Sequence, residues 1–84
     1  MAPRIRLAQH AEVVMRERDI ASAWIERTLA APDWDVEDPN DPRLRRSYAA
    51  IAERGGRILR VVYRPDETDI FVVTVFFDRG ARRP

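Results

Sequence analysis

From Gln9 to Arg18 the apolar residues Ala11, Val14 and Met15 recur on one side at helical spacing, while Glu12, Arg16 and Glu17 occupy the other. The pattern predicts a first helix over 9–18, ended by Asp19, a residue that tolerates the left-handed backbone of a helix terminus. A second amphipathic stretch runs over 21–31, with Ala21, Trp24, Ile25, Thr28 and Leu29 on one face and Glu26 and Arg27 away from it, and Pro32 stops it. Ile20 is expected to plug the corner between the helices, and Trp24 to make the largest single burial in this half.

After Pro32 the period changes. Asp33 to Val36 reads as a short edge strand, with Trp34 exposed, and the turn-rich segment 37–43, with Pro39 and Pro42, as an exposed loop. Alternating stretches then predict strands over about 45–53, 57–64 and 69–78, joined by Gly55-Gly56 and by Pro65 to Thr68. The tail from Arg79 to Pro84 is expected to be loose. The fold class that follows is α+β: two N-terminal helices packed on a four-stranded antiparallel sheet, in one domain over 1–84.

These turns set a register. One face of the sheet is expected to carry Arg46, Tyr48, Ala50, Leu59, Val61, Tyr63, Ile70, Val72, Thr74 and Phe76. The other carries Arg45, Ser47, Ile51, Arg60, Val62, Arg64, Phe71, Val73, Val75 and Phe77. Two short helices cover only one face, so the second is closed by sheet twist and the tail, or by a partner such as another copy of the chain.

Composition narrows the function classes. A chain of 84 residues has a thin core, and 45% apolar with 35% charged residues is globular rather than disordered. There is no cysteine and only one histidine, so no disulfide framework is available and neither a metal nor a cofactor is expected. The first residues contain no apolar run of signal-peptide or membrane-span length, and the expected location is the cytoplasm. All 15 basic residues are arginine, yet the net charge is only +1. Arginine suits phosphate recognition, but a GC-rich genome also favours arginine codons and is the simpler reason for the absence of lysine, so composition alone does not establish nucleic-acid binding.

In order, the chain presents His10-Ala11, Arg18-Asp19-Ile20, Arg46-Ser47-Tyr48, Leu59-Arg60-Val61-Val62-Tyr63 and Val73-Thr74-Val75-Phe76. This order, from about Leu7 to Asp78, resembles a bacterial family of small domains of unknown function that begin with His-Ala, pass through Glu-Arg-Gly-Ile and end in Val-Val-Thr-Val. That family looks like a relative of the RelE, ParE and BrnT toxins. The resemblance implies a RelE-like fold and an RNA-cleaving or ribosome-associated activity restrained by an antitoxin protein. The chain departs from the pattern at Val14, where the family often has arginine, at Asp19 in place of glycine, and at Ala8 and Ala21 in place of Ser or Thr caps.

His10, the one side chain that titrates near neutral pH, is the candidate general base for metal-independent RNA cleavage, with Arg18, Arg46 and Arg60 as candidates to stabilise the phosphate. The competing role for His10 is structural, bonding a backbone carbonyl. Arg60, on a central strand, needs either a ligand phosphate or a carboxylate such as Asp69 or Glu53. Tyr48, Tyr63 and Thr74 are candidate substrate-binding residues, the tyrosines as a facing pair on which a base stacks or as plain sheet packing. Three functions are therefore open: a toxin-like endoribonuclease, a non-catalytic protein-binding module, and RNA binding without cleavage.

Overall fold

The structure, a computed structural model, describes residues 3–84, so the first two residues of the expected domain lie outside it. Strand β1 (Arg4–Leu7) leads into helices α1 (Gln9–Arg18) and α2 (Ser22–Ala30). Four strands follow: β2 (Trp34–Glu37), β3 (Arg45–Ile51), β4 (Arg57–Pro65) and β5 (Asp69–Phe77). The sheet order is β1-β5-β4-β3-β2, with β1 parallel to β5 and every other pair antiparallel. The RelE-like expectation of four antiparallel strands is thus replaced by a five-stranded mixed sheet. The added strand is short: Ile5 and Leu7 face the core while Arg4 and Arg6 face away, and the amide of Ala8 continues the pairing to the Val72 carbonyl at 2.9 Å.

Local chemistry explains the helix ends. Asp19 adopts φ 55° and ψ 49°, and Ile20, the residue after it, donates its amide to the Met15 carbonyl at 2.9 Å. Ala8 and Ala21 begin their helices in extended conformation with no side-chain cap, forgoing about 1 kcal/mol each relative to Ser or Thr. The helices hold by their buried faces instead. Ala11, Ile20 and Ile25 pack with Ile51, Leu59, Val61, Tyr63, Val72 and Val75 from the sheet.

Both expected faces need correction. Strand β3 stops at Ile51, not near Glu53, because Ala52–Arg54 form a 3-10 turn before Gly55 and Gly56, whose φ values are +66° and +83°. Three residues therefore leave the ladder, and Ile51 pairs with Arg57 rather than with Arg60. A slip by an odd number reverses every side chain of a strand. Ser47, Ala49 and Ile51 consequently share the helix-covered face with Leu59 and Val61, while Arg46, Tyr48 and Ala50 face outward. In β5 a bulge intervenes: Val62 pairs with Thr74 and Tyr63 with Val72, leaving Val73 unpaired. Ile70 and Val72 point to the core before it, Val75 and Phe77 after it.

The tail is not loose. The Asp78 amide bonds the Ile58 carbonyl at 2.9 Å, the Asp78 carboxylate accepts from the Gly80 amide at 2.9 Å, and Arg83 donates to the Asp33 carbonyl at 2.6 Å. It crosses the end of the sheet from β5 to β2. Trp34, expected to be exposed on the edge, is half-buried against Tyr48.

Leu59 is fully buried at the centre of the core. Leu59→Ala is expected to lower unfolding free energy by about 2–5 kcal/mol in urea titration, and a loss below about 1 kcal/mol would contradict this packing.

Candidate nucleic-acid interface

The two helices cover the face lined by Leu59, Val61, Val72 and Val75, which leaves the other face of the sheet without a layer. Its side chains follow from the register in rows across the strands. One row runs Trp34, Tyr48, Arg60, Phe76; the next runs Val36, Arg46, Val62, Thr74; beyond the bulge Arg64 and Arg6 flank Phe71. Guanidinium groups lie over rings in this surface, Arg60 at 4.1 Å from the Phe76 centroid and Arg64 at 5.3 Å from that of Phe71. Trp34 and Tyr48 are stacked, with centroids 4.6 Å apart.

Arg46, Arg60, Tyr48 and Thr74 are therefore neighbours on one face. Two of them are also held by carboxylates. Arg46 donates its Nε–H to Asp38 at 3.0 Å, and Asp38, which first accepts the Asn40 amide and then this guanidinium, is held below the ordinary carboxylate pKa. Arg60 lies 3.4 Å from Asp78, not beside Asp69 or Glu53 as expected, and its buried Nε has no hydrogen-bond partner. Its strand neighbours are Tyr48 and Phe76, not Ile51 and Val73.

The remaining candidates are elsewhere. Tyr63 pairs with Arg45 and not across from Tyr48, and it faces the core. Its hydroxyl donates to Asp35 at 2.5 Å, as does Ser47, and Arg45 donates its Nε–H to the same carboxylate at 2.6 Å. Burial alone would raise the Asp35 pKa, but the bonds from Ser47, Tyr63 and Arg45 outweigh it and hold the group below its ordinary 3.8. Burial, with the bond to Asp35, pushes Tyr63 upward from 10.0. Tyr63 is a member of this network, is 9% exposed, and borders a hollow with Pro65, Thr68 and Ile70 on the core side of the sheet.

His10 is exposed in the first turn of α1, in the helix layer, with the sheet between it and the outward-facing Arg46 and Arg60. Arg18 is at the other end of the same helix, about 12 Å further along its axis. The imidazole is not among the side chains that line the hollow holding Arg18.

Arg18 instead joins a site that the sequence reading missed. It lines a hollow of about 590 Å³ together with Arg54, Arg57, Arg79, Phe76 and Phe77. Strand β1 covers β5 only from Asp69 to Val72, so the second half of β5 has an open edge, and the hollow lies there beside the end of α1. Among the described residues none of its four arginines has a carboxylate partner, because nearby Glu53 and Asp78 are taken by Arg27 and Arg60. Arg54 is anchored, donating to the Arg18 and Asp19 carbonyls at 3.0 and 2.9 Å, where it caps α1. Arg57 lies 4.5 Å from the Phe77 centroid. The signal was a register argument: once the turn after β3 and the end of β5 are adjacent, Arg54, Arg57 and Arg79 meet.

Residues 7–77 match the family model described as a domain of unknown function, DUF4258, and the chain belongs to that family. No curated protein and no solved structure matches it. Among the described residues no group of three His, Cys, Asp or Glu side chains is arranged to hold a metal ion, and no helix is long and apolar enough to cross a membrane.

The Asp35 network yields a pH dependence. A carboxylate whose pKa is depressed by folding stabilises above its unfolded value and loses that contribution as pH falls through the folded one. Asp35→Asn is expected to cost about 1–3 kcal/mol at neutral pH and to flatten the loss of stability below about pH 4. Thermal melts of both proteins across acidic pH test this; parallel pH profiles would contradict it.

Proposed function

We propose that this domain binds single-stranded RNA across its uncovered sheet face and does not use His10 to cleave it. The observation that carries this reading is the pairing of guanidinium and ring on that face, with Arg60 over Phe76 and Arg64 over Phe71. Aromatic rings on a sheet stack unpaired bases, and guanidinium planes both stack and attract phosphate. Arg46 and Thr74 extend the same surface, supplying a further cation and a hydroxyl, while Tyr48 is buried against Trp34, the ring stacked on it. The arginine-lined hollow lies outside this surface, past Phe76, which borders both.

The finer reading implied by the family resemblance, an endoribonuclease toxin held by an antitoxin, needs a general base beside these cations. The hollow is lined by arginine and phenylalanine side chains, with no histidine or carboxylate among them, and His10 is in the helix layer. RNA capture needs no such group. A protein partner over the same face is the alternative occupant, favoured by the half-buried apolar side chains Ile58, Phe71 and Val73.

Fluorescence anisotropy with a short unstructured RNA is expected to give binding that weakens with salt, with a log–log slope of about −2 for some three phosphates engaged. Phe76→Ala and Arg60→Ala are each expected to cost about 1–3 kcal/mol of binding, and His10→Ala none. The RNA is expected to be recovered intact. Binding unaffected by the Phe76 and Arg60 changes would overturn the proposal, and so would fragments that vanish with His10→Ala. A stable dimer with no RNA affinity would favour the protein partner instead.

A further inference from the structure

We infer that the arginine-lined hollow at the open edge of β5 receives a terminal phosphate of the RNA, a phosphomonoester, and not one of its internal phosphodiesters. This rests on the RNA-binding reading and names which part of the strand the domain selects.

Charge is the first ground. Arg18, Arg57 and Arg79 converge on the hollow with Arg54 behind them, and none is neutralised by a carboxylate among the described residues. On the sheet face, by contrast, Arg46 is matched by Asp38 and Arg60 by Asp78. An internal phosphodiester carries a single negative charge and is served by a partly neutralised arginine. A phosphomonoester carries about −1.5 to −2 at pH 7 and three acceptor oxygens, which fits several unpaired guanidinium forks.

Position is the second. The hollow lies at the edge of the platform, bounded by the end of α1, which carries Arg18, and by Arg79 at the start of the tail. Phe76 borders both the hollow and the sheet face, so a base stacked on the Arg60–Phe76 pair leaves its own phosphate beside Arg57 and Arg79. Arg54 holds the geometry. Its bonds to the last carbonyls of α1 fix the guanidinium under the hollow, between Trp24 and Phe77 at 5.5 and 5.4 Å from their centroids. It also offsets the negative end of the helix, which would otherwise repel an anion.

The test uses the whole chain and one internally labelled RNA prepared with hydroxyl ends, with a 5′-phosphate or with a 3′-phosphate. At about 0.15 M salt one of the phosphorylated forms is expected to bind at least about fivefold tighter than the hydroxyl form, and which one identifies the end that is read. Both arginines to be changed are exposed, so Arg57→Gln with Arg79→Gln is expected to keep the fold by circular dichroism. In that variant the phosphorylated RNA is expected to fall to the affinity of the hydroxyl form, which itself changes little. A smaller gain from either phosphate, or a gain that persists in the double variant, overturns the inference and leaves RNA binding standing. Failure of all three RNAs to bind overturns both.

Discussion

Burial of Leu59 and Val61, both with no exposed surface, dictates where every charge on the central strand must go. With a period of two, the residues between and beyond them, Arg60, Val62 and Arg64, have only the opposite face available. A charged group in mid-sheet is tolerable where its stem covers apolar surface and its head finds a ring or an anion. Arg60 does both, spreading over Phe76 beside Asp78, and Val62 is left only 6% exposed. The outer surface is thus a consequence of the core.

The bulge at Val73 completes that surface. Phe71 and Phe76 are separated by an odd number of residues and would face opposite sides of an unbroken strand. The extra residue turns both outward, each under an arginine of β4, and returns Val75 and Phe77 to the core. Bulges redirect side chains in this way at functional surfaces. A strand without it would send one of the two rings inward and interrupt the run of cation–ring pairs.

Much of the scaffold was legible in the residues. Helical spacing at Ala11, Val14 and Met15, the turn residue Asp19, the stop at Pro32 and the pair Gly55-Gly56 each act locally, and local rules read them. Two features escaped because their causes are long-range or cumulative. Strand β1 forms where the first half of β5 offers a free edge to Ile5 and Leu7, a pairing between distant parts of the chain. The 3-10 turn of Ala52–Arg54 and the unpaired Val73 each introduce an odd shift, the first turning Tyr48 to the face opposite Tyr63 and the second turning Thr74 and Phe76 to the face opposite Val72, although the strands themselves were located. Arg46, Tyr48 and Thr74 share a surface as expected, but Arg60, expected on the opposite face, joins them, and Tyr63, expected beside them, lies on the core side.

The near-neutral total charge concealed the hollow for a related reason. A sum over the sequence weighs each acid against each arginine, but neutralisation is a matter of pairing in space. Six carboxylates, on Asp35, Asp38, Asp41, Glu53, Asp69 and Asp78, engage Arg45, Arg46, Arg43, Arg27, Arg6 and Arg60 in turn. The cations gathered at the open edge of β5 are excluded from that set. Glu53 directs its carboxylate to Arg27 on α2, and Asp78 pairs with Arg60. Field lines from unpaired guanidinium groups in a concave site add, whereas those of matched pairs cancel within a few ångströms. A chain with a net charge of +1 therefore carries a locally cationic hollow.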